Sequence, residues 1–282
     1  MTPSRLPADI TDVVARALAE DVGAGDITAK LIPRETRSRA RVLVREPATL
    51  CGSAWFDEVY RQVDREVTVH WLFADGAELA ADSAVCELAG RARNIVTGER
   101  TALNFLQTLS GTATATRRYT AALAGTATRV LDTRKTLPGL RQAQKYAVRC
   151  GGGVNHRFGL FDAVLIKENH IAAVGSLTEA VRAAKRANPS VLVEVEVETL
   201  EQLGQALATD ADRIMLDNFS TSTLGAAVAA RNAHSGKRKE LEVSGGIGLD
   251  DLQAIGATGV DYVSIGSITK HVRAVDFSMR FV

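Results

Sequence analysis

Cysteine is scarce in this chain. Cys51, Cys86 and Cys150 are all it has, far apart, odd in number and without a C-x-x-C spacing. That argues against a disulfide framework or a zinc site and fits a reducing cytoplasm. Long apolar runs are missing too. Nothing approaches the roughly 18–20 consecutive apolar residues needed to span a bilayer. The start, MTPSRLPADITDVVARAL, lacks the apolar core and cleavage site of a signal peptide. Neither sign of charge is in excess: 34 Lys and Arg stand against 33 Asp and Glu, for a net +1. General nucleic-acid and membrane-surface binders carry surplus basic charge, so neither role is expected. Low-complexity segments and obvious linkers are absent. The 282 residues suit one large domain or two ordinary ones with a substantial core.

Against this balance one stretch stands out. LDTRKTLPGLRQAQKYAVRCGGGVNHR, residues 131–157, sets Arg134, Lys135, Arg141, Lys145, Arg149 and Arg157 against the single acid Asp132, and closes on a glycine triplet and His156. A basic cluster inside a neutral chain points to a small anionic ligand. Arginine suits it, because its guanidinium binds carboxylate or phosphate in bidentate fashion. Arg141 and Lys145, at i and i+4, read equally well as ordinary solvated neighbours on a helix surface.

The texture changes near residue 110. Before it, SRARVLVREPATLCG and REVTVHWLFADGAEL alternate apolar and polar residues as half-buried antiparallel strands do. PADITDVVARALAEDV and NIVTGERTALNFLQTLSG have helical spacing, so this half reads as α+β. After residue 125 short apolar runs recur: TRVLDT, DAVLIK, VLVEVEV, DRIMLD, ELEVSGG and DYVSIGS. Helix patterns lie between several of them, two opened by capping boxes at Ser176–Glu179 and Thr199–Gln202. Strand and helix alternating at this spacing imply βα units and a parallel sheet, either a closed or nearly closed barrel or an open doubly wound sheet.

Each run delivers chemistry at its C-terminal end: Thr133-Arg134-Lys135, Lys167, Glu196 and Glu198, Asp217-Asn218, Ser244-Gly245-Gly246, and Gly266-Ser267. In β/α barrels that end carries the active site, and the loops after the last strands commonly hold a phosphate. Glycines let backbone N–H groups approach an anion. Glu196 and Asp217 suit a shared magnesium ion, which takes one or two carboxylates plus substrate phosphates. Singly these signals are weak. Glu194, Glu196 and Glu198 alternate with valines, a pattern that alone is more common on an exposed sheet face; here the neighbouring strands read as buried, so some of these acids are expected to have partners. Glycines after strands are usually turns. His70 reads as structural and His234 as a surface loop residue.

The motifs together resemble one family. LAEDVGAGDIT, ERTALNFLQTLSGTATAT, DTRKTLPGLRQAQKYAVRCGGGVNHR, LIKENH, VEVEVETLEQ, IMLDNF, EVSGGI and GVDYVSIGSIT look like signatures of the quinolinate phosphoribosyltransferases, nearly end to end. The resemblance implies an N-terminal α+β sandwich domain over 1–110, with the tail 271–282 expected to pack on it. An incomplete parallel α/β (TIM-like) barrel over 111–270 would follow. It implies that quinolinate and phosphoribosyl pyrophosphate, with Mg2+, give nicotinate mononucleotide, pyrophosphate and CO2 on the de novo route to NAD. It implies a homodimer, or a higher oligomer, with shared active sites, and no nucleic-acid or membrane partner. Arg134, His156, Arg157 and Lys167 match the quinolinate pocket, with Thr133 beside them, and Arg100 matches an arginine supplied by the partner subunit. Lys135, Glu196 and Asp217 match catalytic positions facing the phosphoribosyl group, the two acids being the metal positions. Ser244, Gly245, Gly246 and Gly266 match the 5′-phosphate cradle. The competing readings are a same-fold paralogue of the molybdenum-transport-associated type, and a binding protein that senses phosphoribosyl pyrophosphate or a nucleotide.

Overall fold

A computed structural model describes residues 5–282. The chain divides into two compact units, and both are discontinuous in sequence. The first takes the residues up to Arg117, Lys135–Gly152 and Ser267–Val282; the second takes Arg118–Arg134 and Gly153–Gly266.

The first unit begins with a helix, Ile10–Val22 (α1). Its strands are Arg37–Val44 (β1), Ala48–Thr49 (β2), Thr68–Trp71 (β3), Glu78–Leu79 (β4) and Ala84–Arg91 (β5). The helix Ser53–Val63 (α2) lies between β2 and β3, and the long helix Ala92–Ala122 (α3) follows β5. The alternation in β1 works as expected. Ala40, Val42 and Val44 are buried, while Arg39 and Arg41 on the other face meet Glu87 of β5, the closer pair at 2.6 Å. β1 is central in an antiparallel sheet because the last strand of the chain, Phe277–Phe281 (β12), pairs along its other edge. The helix Arg141–Cys150 (α4) also belongs here: Ala143, Tyr146, Ala147 and Cys150 share one core with Trp55, Phe56, Leu103 and Leu106. Reading α4 as a solvated surface helix is therefore wrong at Lys145, which is fully buried, because the helix sinks one whole side into that core. Arg141 is half-buried and donates from Nε to Thr136 Oγ1 at 3.1 Å.

The second unit contains one six-stranded parallel sheet. Its strands are Arg129–Leu131 (β6), Ala163–Ile166 (β7), Leu192–Val197 (β8), Arg213–Asp217 (β9), Glu240–Ser244 (β10) and Tyr262–Ser264 (β11). The spatial order is β6-β11-β10-β9-β8-β7, so each strand lies beside its sequence neighbour except that β6 pairs with β11. That is the order of a β/α barrel with one seam, between β6 and β7. Val154 forms an isolated parallel bridge to Leu131 on the seam side of β6. The helices Glu168–Val174 (α5), Leu177–Ala187 (α6), Leu200–Leu207 (α7), Thr221–Ala233 (α8) and Leu252–Ala257 (α9) connect the strands. A last short helix, Ser267–Lys270 (α10), belongs to the first unit.

The two faces of this sheet have opposite chemistry. Val193, Val195, Val197, Ile214, Leu216 and Val243 form a dry layer with Leu177, Leu203 and Leu224 from the connecting helices. The alternate residues make the other face. There Glu194, Arg213 and Glu240 align across β8, β9 and β10. Two residues further on come Glu196, Met215 and Glu242, and then Asp217 beside Ser244. The Glu-Val-Glu-Val run is thus a strand with valines toward the helices and acids toward the barrel interior. Of the acids, Glu194 is fully buried, Glu196 half-buried and Glu198 exposed. No helix among the described residues is long and apolar enough to cross a membrane.

Candidate active site

Parallel pairing brings the C-terminal ends of the strands to one end of the second unit. Thr133 and Arg134 follow β6, Lys167 follows β7, Glu196 lies near the end of β8, and Asp217 ends β9. Ser244, Gly245 and Gly246 end and follow β10, and Gly266 follows β11. His156 and Arg157 join them through the loop after Val154. Lys135 and Arg100 belong to the first unit, where both are exposed. Lys135 directly follows Arg134, and its carbonyl accepts the Thr269 hydroxyl at 2.9 Å.

The loop carrying His156 and Arg157 is held from two sides. Asp132, fully buried, accepts the His156 backbone N–H at 2.8 Å and the Asn155 side-chain amide at 2.6 Å. The His156 ring reaches the barrel floor, where Nε2 lies 2.8 Å from Glu194 and 3.5 Å from Glu242. Its Nδ1 accepts the Arg157 backbone N–H at 2.7 Å, which leaves the ring proton on Nε2, toward the acids. Both ring nitrogens therefore face protein groups, and the histidine ties the Arg157 backbone to the floor. Burial, and next the charge of Arg134, pull the Arg157 guanidinium below its ordinary pKa. Like charges that act on each other in this way favour an anion nearby.

Beneath this layer Glu194 and Glu242 lie together without solvent. Burial pushes Glu194 up to about 7 against the pull of Arg213. Burial, with the charge of Glu194 added, pushes Glu242 up to about 8. Arg213 approaches Glu242 at 3.4 Å and Glu240 at 2.9 Å, and its guanidinium stacks 4.3 Å from the Tyr262 ring centre.

At the rim the groups are more open. Lys167 Nζ lies 2.5 Å from Glu196 Oε2. The Asn218 side-chain amide donates to Asp217 Oδ2 at 2.8 Å. Gly245 has φ +129°, and a Cβ there would lie 2.8 Å from Asn218 Oδ1, so only glycine fits. A Cβ at Gly246 would meet nothing within 4 Å, so that side of the loop is open to a ligand. The rim joins cations, two acids at the ends of adjacent strands, and a glycine loop. It is equipped for a ligand that carries both phosphate and carboxylate.

Comparison with known proteins decides the family. The model of the quinolinate phosphoribosyl transferase N-terminal domain matches residues 26–110, and that of the C-terminal domain matches residues 112–280. The chain belongs to the quinolinate phosphoribosyltransferase family. It is 42% identical over 261 residues to the probable nicotinate-nucleotide pyrophosphorylase (carboxylating) of Bacillus subtilis (strain 168), covering 92% of this chain and 89% of that one. It is 43% identical over 274 residues to the nicotinate-nucleotide pyrophosphorylase (carboxylating) of Mycobacterium leprae, covering 95% of both. The solved nicotinate-nucleotide pyrophosphorylase of Francisella tularensis superposes with a TM-score of 0.94 at 46% identity, over 99% of this chain and 98% of that one.

In this quinolinate phosphoribosyltransferase fold the motifs do not single out Glu242 or Arg213, name Asn218 only as part of a strand end, and mark Glu194 only as one of three strand acids. The available signal was positional. Glu194 precedes Glu196 by two residues and Glu242 precedes Ser244 by two, so each shares a face with a rim residue.

Proposed function

We propose that this chain transfers the phosphoribosyl group of phosphoribosyl pyrophosphate to quinolinate, with decarboxylation, giving nicotinate mononucleotide, pyrophosphate and CO2 in NAD synthesis. Family membership supports this. The observation that carries it is the gathering of Arg134, Arg157 and Lys167 at the strand ends of a barrel whose last loops are glycine. Arg134, Arg157 and Lys167 bind the two carboxylates of quinolinate, with Thr133 beside them. His156 holds Arg157 in place. Ser244, Gly245, Gly246 and Gly266 cradle the 5′-phosphate, and Lys135, next to Arg134 in sequence, serves the phosphoribosyl group.

Glu196 and Asp217 are the residues that would hold magnesium. Their donors are hard oxygens at the ends of adjacent strands, which fits that ion bound together with substrate phosphates. When bound, it would neutralise charge on the pyrophosphate. The protein supplies position and charge. It aligns the pyridine nitrogen with the ribose carbon from which pyrophosphate departs. The alkylated, positive ring then accepts the electron pair left when the 2-carboxylate leaves as CO2, and a proton takes its place.

We also assign a homodimer with shared sites. Ile27 and Leu31 are 79% and 84% exposed, too apolar for an idle surface. Their segment is fastened to α3 near Arg100: Thr97 donates to Asp26, and Arg93 donates to the carbonyl of Lys30 at 2.9 Å. A cytoplasmic setting accords with the three cysteines, all free and buried. The test of function is turnover with phosphoribosyl pyrophosphate and magnesium. Quinolinate should be consumed with stoichiometric CO2, and nicotinate should not react. Equal rates on the two acids would refute the assignment.

A further inference from the structure

Asp217 is followed by a residue in an unusual conformation. Asn218 has φ +57°, and among the described residues only one other non-glycine residue, Asp82, has positive φ. A side chain in the left-handed region costs free energy, and asparagine tolerates it better than most residues. Strain of this kind persists where the surroundings impose it and clusters at functional sites.

Three contacts impose it here. The Asn218 backbone N–H donates to the Ser244 carbonyl at 3.0 Å. Its side-chain Nδ2 donates to Asp217 Oδ2 at 2.8 Å. Its Oδ1 occupies the space that a Cβ would need at Gly245, 2.8 Å from that position. One residue thus touches a rim carboxylate and both of the first two residues of the glycine loop. The glycine at 245 and the strained asparagine at 218 explain each other: the loop can approach the end of β9 this closely only because one side has no Cβ.

We infer that Asn218 is a positioning residue, fixing the Asp217 carboxylate in register with the Ser244–Gly246 loop so that both meet the phosphoribosyl ligand in one geometry. The inference rests on the function proposed above. It predicts an effect on phosphoribosyl pyrophosphate that quinolinate does not share.

The test separates side chain from backbone. Asn218→Gly keeps the backbone N–H and adopts positive φ without strain, which offsets the greater freedom glycine gives the unfolded chain, so it should melt close to the wild type. It loses the amide on Asp217. Calorimetric titration with phosphoribosyl pyrophosphate and magnesium, without quinolinate, should show affinity weakened about tenfold, the scale of one hydrogen bond to a charged group. The KM for phosphoribosyl pyrophosphate should rise in parallel, with the KM for quinolinate unchanged. Asn218→Asp, the same shape with a carboxylate against Asp217, should bind more weakly still. Wild-type affinity in Asn218→Gly, or equal losses toward both substrates, overturns the inference. A wild-type chain that binds no phosphoribosyl pyrophosphate overturns the functional reading as well.

Discussion

Glu242 shows how far a residue can be removed from its ordinary behaviour. It is fully buried beside a second carboxyl, and its ionisation is pushed up to about 8. In the unfolded chain it titrates in the ordinary glutamate range. The folded state therefore holds the proton more tightly. The stabilisation is complete below the unfolded value and is lost as pH rises through the folded one. Glu242→Gln, which keeps the shape and cannot ionise, should flatten this dependence. Denaturant titrations at about pH 5.5 and about pH 8.5 should show the wild type less stable at the higher pH. Its loss between the two should exceed that of Glu242→Gln by on the order of 2 kcal/mol. Equal losses in the two proteins would show that the pair does not titrate in that range. The residue scale is also where sequence reading was most ambiguous. Glu194 and Glu198 belong to one run of alternating valines and acids, yet the first is sealed within β8 and the second, just past the end of that strand, is exposed. Distance from the open end of the barrel decides that, and no local pattern encodes it.

Among the elements, helix starts were legible only in part. Ser176 and Thr199 do cap α6 and α7, accepting the backbone N–H of Glu179 and of Gln202. The return halves of both boxes take other routes. Glu179 pairs with Arg182, and Gln202 accepts from the backbone of Glu198. Thr199→Ala should cost about 1 kcal/mol in chemical denaturation. Glu179→Ala should cost no more than about 0.5 kcal/mol, because its remaining partner is an exposed neighbour on the same helix. A larger loss at Glu179 would mean the box closes in solution. All six parallel strands were visible as apolar runs, since each is flanked by turn residues and has one face of valine, leucine or isoleucine. Whether they close was not visible: β6 finds β11 through pairing across more than 130 residues. The placement of α4 was likewise hidden, because alanines, a tyrosine and a cysteine can pack on either of two cores.

For the whole molecule, the shared-site proposal separates cleanly from a site confined to one chain. Arg100→Ala and Arg157→Ala should each be nearly inactive. After subunit exchange, mixed dimers should recover activity, because one of their two sites receives both wild-type residues. No recovery in mixtures where heterodimers are shown to form would place Arg100 outside the partner's site. The C-terminal strand makes a second prediction. Phe277 is 5% exposed and lies in the core of the first unit. Phe277→Ala should cost about 3–5 kcal/mol in denaturant titration, and a loss under about 1 kcal/mol would mean the tail is dispensable to that core.

That strand has a further consequence for proteolysis. β12 pairs with β1, antiparallel, from Ala40 opposite Phe281 to Val44 opposite Phe277. The parallel sheet of the second unit needs nothing beyond Ser264, so a chain cut shortly after that residue keeps all six of its strands. The antiparallel sheet loses an outer strand to the same cut. Without β12, β1 carries a bare edge of N–H and C=O groups, the kind that recruits other strands. A single nick between β11 and β12, followed by release of the tail, should thus turn a chain with an intact parallel sheet into one that aggregates through its first unit.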